Sequence, residues 1–315
     1  MRPAADVPNE EVPDLGPLPK RLIVEIDTVR RLVAEQFPQW AHLPVEPVRH
    51  GGWDNFTFHL GDDMLLRLPS AAEYALAVEK EHQWLPELAP QLPVPIPAPL
   101  GLGDPGAGYP FRWSIYNWLR GECADRSTVP DPTELSEDLA DFLGALRRID
   151  ATGGPQPGIH NWYRGATLRT YDETARSALV DLEGHLDVDV ASAAWADALA
   201  ARWDGVEVWF HGDLAAGNLL LDGGRLAAVI DFGTCGVGDP SCDLAIAWTL
   251  LTPSSRRLLR DRLGIDDPTW ARGRGWALWK ALSQMAGALD DHDLPAVAEA
   301  RLVVEAVLDD FSSAD

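Results

Sequence analysis

Residues 206–233 read VEVWFHGDLAAGNLLLDGGRLAAVIDFG. The runs VEVWF and LLL, then RLAAVI after the Asp222-Gly223-Gly224 turn, have the length, apolar composition and turn punctuation of short strands. His211, Asp213, Asn218 and Asp231 therefore fall on two loops at strand ends, where a rigid scaffold commonly holds chemistry. Moving a γ-phosphoryl group needs an oriented hydroxyl and metal ions that neutralise charge on the phosphate oxygens. Mg²⁺ prefers hard oxygen donors and keeps several waters, so one carboxylate, Asp231, and one amide oxygen, Asn218, suffice beside nucleotide phosphates. Asp213 is left free to accept the hydroxyl proton.

The surrounding 315 residues are 46% apolar and include 13 Trp, which gives a globular chain large enough for two lobes. No apolar run approaches the ~20 residues of a membrane span, and the opening MRPAADVPNEEVPDLGPLPK lacks the apolar core of a signal peptide. That opening, rich in proline and acid, reads as a flexible tail over residues 1–20. Cys123, Cys235 and Cys242 form an odd set without C-x-x-C spacing, which argues against disulfides or a zinc site and for a reducing cytoplasm. The formal charge of −23 argues against a nucleic-acid partner, because phosphate contacts need clustered Arg and Lys. It favours a cationic partner or serves solubility alone, and does not choose between them.

Helical spacing of Val29, Leu32, Val33 and Phe37 predicts a helix capped by Asp27 or Thr28. Strands are predicted near 45–50, 55–60 and 63–68, around the turns Gly51-Gly52-Trp53-Asp54 and Gly61-Asp62-Asp63. Ser70-Ala71-Ala72-Glu73 reads as a capping box opening a helix with Tyr74, Val78, Leu85 and Leu88 on one face. Glu81 lies on that same stripe, and an inward carboxylate needs a partner; Arg67, on the preceding strand, is the proposed one. The Pro-rich stretch 92–99 predicts an extended connector, 111–119 a strand, and Asp131-Pro132 a helix start. Further helices are predicted near 167–183, 189–203, 240–251, 254–263, 268–287 and 293–309.

The pattern H-x-D-x-x-x-x-N followed by D-F-G resembles the catalytic and metal loops of protein-kinase-like enzymes. His211-Gly212-Asp213, Ile230-Asp231-Phe232-Gly233 and Gly238-Asp239-Pro240-Ser241-Cys242-Asp243-Leu244 narrow it: together they resemble the aminoglycoside phosphotransferase family, close to the choline-kinase branch. The resemblance runs from about residue 26 to about residue 309.

The resemblance implies an α+β, bilobal protein-kinase-like fold: an N-lobe antiparallel sheet with one main helix over 21–119, and a larger, mostly helical C-lobe with catalytic hairpins over 120–315. It implies transfer from ATP or GTP, with Mg²⁺, to a hydroxyl of a small molecule, an antibiotic above all. Asp213 would be the base, His211 a loop support, Asn218 and Asp231 the metal ligands, and Asp243 a brace. Gly51, Gly52, Trp53 and Asn55 would lie over the phosphates, and Asn117, Trp118 and Leu119 would form the hinge that binds the purine. Protein kinases place a Lys where Arg67 stands, and of the three lysines, Lys20, Lys80 and Lys280, none fits that strand. Acceptor lining is expected from His160, Asn161, Trp162, Arg164, Arg272 and Trp276. Rival readings are a kinase for a macrolide, a nucleoside antibiotic, choline, homoserine or a sugar; a nucleotide-binding pseudokinase; and a metal-dependent phosphatase. No membrane partner is expected, and the protein would act as a monomer or homodimer.

Overall fold

A computed structural model of the chain describes residues 13, 15–49, 51–126, 129, 132–203 and 205–313. Most of the predicted tail, His50 and the predicted helix cap Asp131 lie outside the described residues.

Five strands, β1 (Val45–Pro47), β2 (Asn55–Leu60), β3 (Met64–Pro69), β4 (Pro99–Gly103) and β5 (Trp113–Asn117), form an antiparallel sheet in the order β1-β2-β3-β5-β4. Alternation along β3 decides what lies on each face. Leu66 and Leu68 are fully buried in a core with Val29, Leu32 and Val33 of helix α1 (Ile26–Gln36). Arg67, between them, turns to the opposite face, where helix α2 (Ala72–Leu88) lies.

Two boundaries differ from the sequence reading. Helix α1 begins at Ile26 with Glu25 as its N-cap, so Asp27 is already inside the first turn. The expected capping box at Ser70 is absent: the N-cap is Ala71, and the Ser70 hydroxyl instead donates to the Trp53 carbonyl and accepts from Arg21. Strand β4 was not anticipated because it opens on Pro99, and it occupies the sheet edge, where a missing N–H costs least.

Beyond the sheet, β6 (Glu122–Cys123) leads to helices α3 (Pro132–Arg148), α4 (Asp172–Asp181) and α5 (Val188–Ala200). The central hairpins follow: β7 (Val208–Phe210), β8 (Leu219–Asp222), β9 (Arg225–Val229) and β10 (Gly236–Gly238). β6, β8 and β9 form one small sheet, and β10 pairs antiparallel with β7. Helices α6 (Ile246–Thr249), α7 (Pro253–Leu263), α8 (Asp267–Asp290) and α9 (Leu294–Ser312) complete the chain. α8 is buried without interruption from Trp270 to Leu278, because α5, α9 and the helical turn at Pro240–Ala245 pack around it. The architecture is the α+β arrangement expected: an antiparallel N-terminal sheet and a helical C-terminal part. The larger hydrophobic core includes Leu85 and Leu88 of α2, so that helix contributes to both halves. Among the described residues no helix is long and apolar enough to cross a membrane.

Candidate active site

Pairing of Phe210 with Gly236 brings the two motif loops side by side. Asp243 fastens the first from below: its carboxylate accepts the main-chain N–H of His211 at 2.9 Å and of Gly212 at 2.8 Å. Gly212 has φ of +87°, and a Cβ there would lie 2.5 Å from the Thr234 carbonyl oxygen, so only glycine fits between the loops. The Thr234 hydroxyl donates to the His211 carbonyl at 3.1 Å, locking the second loop to the first. Burial pushes the Asp243 carboxyl above its ordinary value, although His211 and the two amides favour its charge.

His211 is fully buried, edge-on to Phe232. Its Nδ1 accepts the Asp213 N–H at 3.3 Å, which leaves Nε2 to donate to the Ile230 carbonyl at 3.0 Å. The imidazole thus ties the two loops together. The Asn218 amide nitrogen donates to the Asp213 carbonyl at 2.9 Å, leaving its oxygen as the available donor atom, and the Asn218 carbonyl accepts the Ile230 N–H. Asp231 follows directly, in a left-handed conformation with φ of +66° that a non-glycine residue adopts only under local constraint.

Arg67 and Glu81 pair as anticipated, at 3.1 Å, and the second Glu81 oxygen accepts the Tyr116 hydroxyl at 2.7 Å. The other arm of Arg67 reaches Asp231 at 2.5 Å. Burial disfavours the guanidinium charge, yet Asp231 and Glu81 outweigh burial and raise its pKa. The narrow cleft between these groups, about 30 Å³, is lined by Asp54, Asn55, Arg67, Tyr74, His160, Trp162, Asp213 and Asp231 among others. A depression of about 830 Å³ lies elsewhere, between Pro90–Pro93, α3 and the end of α7, and holds none of the motif residues. Volume therefore does not locate the chemistry here.

Sequence reasoning missed two residues of this cleft. Lys280, from α8, holds the Asp213 carboxylate at 2.5 Å. Burial opposes ionisation of Asp213, but the Lys280 charge and hydrogen bond, with Arg164 and His211, more than offset it and hold its carboxyl below the usual range. Asp54, read only as part of a turn, is pushed up to about 6, first by burial and next by the neighbouring Asp231.

Lys80, which lies off the strand that carries Arg67, is buried and donates to the carbonyls of Gly233 at 2.7 Å and Cys235 at 2.9 Å and to His160 Nδ1 at 3.2 Å. Gly51 and Gly52 are exposed; neither has a positive φ, and a Cβ on either would meet no close contact, so the fold itself does not demand glycine there. Trp53 is exposed beneath the Arg21 guanidinium. In the predicted hinge, the Asn117 and Trp118 N–H groups are already donated, to Ala98 and Asp63 carbonyls, which leaves Leu119 and carbonyl oxygens to meet a purine.

The acceptor expectations divide. His160 and Trp162 line the cleft. Arg164 stacks 4.7 Å from the Trp279 ring centre and donates to the Tyr171 hydroxyl, within electrostatic reach of Asp213. Arg272 does not line it: it is buried against Asp239 at 2.6 Å, with the Arg202 carbonyl on its other side. Asp239 also caps the turn that follows it, through the Ser241 N–H. Trp276 is buried among Tyr171 and Trp279, and Asn161 turns its oxygen to the Gly158 N–H.

Asn218 and Asp231 offer one amide oxygen and one carboxylate, which fits a hard cation that takes its remaining oxygens from phosphate and water. Among the described residues no group of three or more His, Cys, Asp or Glu gathers to hold an ion without such help.

Known proteins resemble this chain in sequence and in fold. An aminoglycoside 3'-phosphotransferase of Escherichia coli is 39% identical over 167 residues, 49% of this chain and 56% of that protein. Another of the same name and organism is 43% identical over 61 residues, 18% of this chain and 22% of that protein. The chain thus spans about half or less of the length of these relatives. Among solved structures, the GDP and kanamycin complex of APH(2")-IIia covers 89% of this chain and 97% of its own, with TM-score 0.69 and 19% identity. The macrolide 2'-phosphotransferase MphH from Brachybacterium faecium covers 88% and 97%, with TM-score 0.55 and 20% identity. At such identities these two share the fold. The model of the phosphotransferase enzyme family matches residues 45–276, most of the chain. The chain belongs to that phosphotransferase enzyme family.

Proposed function

We propose that this protein transfers the γ-phosphoryl group of ATP or GTP to a hydroxyl of a small-molecule antibiotic, with an aminoglycoside-type acceptor favoured by the matched relatives. The observation that carries the reading is the convergence of Asp213, Asn218 and Asp231 on two interlocked loops, facing the Arg67–Glu81 pair. Asp213 accepts the proton of the attacking hydroxyl and orients it. Arg67 contacts the nucleotide phosphates, and Glu81 aims Arg67. Asn218 and Asp231 would hold Mg²⁺, which when bound would neutralise charge on the transferring phosphoryl oxygens. His211 and Asp243 keep the loop in register. Gly51, Gly52, Trp53 and Asn55 cover the phosphates, and the segment Asn117–Leu119 receives the purine and divides an N-lobe from a C-lobe near residue 119. His160, Trp162 and Arg164 face the acceptor. Use of a nucleoside triphosphate assigns the enzyme to the cytoplasm.

The test is a panel of aminoglycoside, macrolide, nucleoside and small metabolite alcohols, each with ATP and GTP, read by nucleoside diphosphate release and by the mass of the acceptor. Phosphorylated antibiotic supports the reading. Nucleotide binding without transfer to any acceptor would leave a pseudokinase.

A further inference from the structure

Lys280 reaches Asp213 from a helix remote in sequence, and its ammonium sits 2.5 Å from Oδ1, one of the two atoms that can take the acceptor's proton. The main-chain groups of Asp213 are committed to the scaffold, its N–H to His211 and its carbonyl to Asn218, so the carboxylate is the part of the residue left to meet a nucleophile. Both side chains of the pair keep about a third of their surface, 32% for Lys280 and 35% for Asp213. An ion pair with that exposure is weak enough for a ligand to displace. Arg164, by contrast, is fixed by Tyr171 and stacked on Trp279, and cannot move in to replace Lys280.

We propose that Lys280 determines which nucleophile Asp213 serves: its ammonium holds the carboxylate against water, and an acceptor carrying its own ammonium beside the reacting hydroxyl takes that place. This rests on the phosphotransferase reading above and adds to it the residue that separates a charged acceptor from water and neutral alcohols. Water and neutral alcohols bring no charge with which to compete for Asp213. The side reaction so suppressed is hydrolysis. There the water oxygen bonds to the γ-phosphorus, Asp213 takes a water proton, and the bond to the bridging oxygen breaks with its electron pair leaving on the nucleoside diphosphate.

The experiment uses the full chain with Mg²⁺ and ATP or GTP, and compares wild type with Lys280→Met and Lys280→Arg. Diphosphate release is measured without acceptor, with kanamycin and with the neutral disaccharide trehalose. Lys280→Met is expected to raise acceptor-free release about fivefold, the equivalent of a pair worth just under 1 kcal/mol, and to narrow the preference for kanamycin over trehalose. Lys280→Arg restores wild-type behaviour. Unchanged or slower acceptor-free release in Lys280→Met overturns the proposal. If all three proteins bind nucleotide yet neither hydrolyse nor transfer, the phosphotransferase reading falls and takes the proposal with it.

Discussion

Asp213 and Asp231 line the same cleft but pair with different cations, Lys280 for one and Arg67 for the other. Asp213→Ala is expected to lower kcat by about 10²- to 10⁴-fold with nucleotide affinity nearly unchanged, because the phosphate-facing groups stay in place. Single-turnover kinetics beside nucleotide titration checks it, and near-full turnover would remove Asp213 from the mechanism. Asp54 supplies a second expectation, since its carboxyl is pushed up to about 6 from an ordinary 3.8 by burial and then by Asp231. With the folded value raised, its contribution to stability is present below about pH 3.8 and is lost as pH rises through 6. Asp54→Asn is therefore expected to raise Tm by about 2 °C at pH 8 and to leave it unchanged at pH 4, as read by calorimetry without nucleotide. The Arg67–Glu81 pair was legible because Glu81 interrupts an apolar stripe next to a strand carrying Arg67. Lys280 was not, because only the packing of α8 brings it to Asp213. The misplacement of Arg272 has the same origin: on a helix enclosed on all sides, an arginine must find an internal carboxylate, here Asp239.

At the scale of elements, turn and strand chemistry were readable where the apolar runs were long enough. β7, β8 and β9 appear where composition placed them, whereas β10 is a three-residue Gly-Val-Gly segment too short to show a period. The start of α2 illustrates a different limit. Ser70 had a local N–H to cap, but its hydroxyl oxygen accepts instead from the remote Arg21 guanidinium, while its proton goes to the Trp53 carbonyl. The bracing of the catalytic loop by Asp243 was implied by resemblance, and its two amide contacts give it a magnitude. Asp243→Ala leaves two buried N–H groups without an acceptor and is expected to cost about 2 to 5 kcal/mol, measured by urea unfolding, while Asp243→Asn keeps one acceptor and loses less. Equal stability of the alanine variant and wild type would show that the brace contributes nothing.

Over the whole molecule, the two-part architecture was implied by the family resemblance, but the junction between the parts was not. It rests on Lys80, whose neighbour Glu81 attracted all the attention in the sequence, and on His160. Burial, and then the charge of Lys80, depress the His160 pKa below 6.5. The stabilisation it contributes is complete above the ordinary value and disappears as pH falls through the folded one. Thermal melts from pH 7.5 down to pH 5 are expected to show a steeper loss for wild type than for His160→Gln, which carries no titrating ring; parallel curves would exclude His160 from the junction.

Lys80 and Glu81 are consecutive, yet they rivet one helix to opposite jaws, Glu81 to the sheet through Arg67 and Lys80 to the carbonyls of Gly233 and Cys235. A mouth that opened by swinging either jaw would tear a sequestered ammonium from partners no solvent can replace. The helix between them is thereby held as a fixed spacer, its distance from the sheet and from the Gly233 loop set by two adjacent residues.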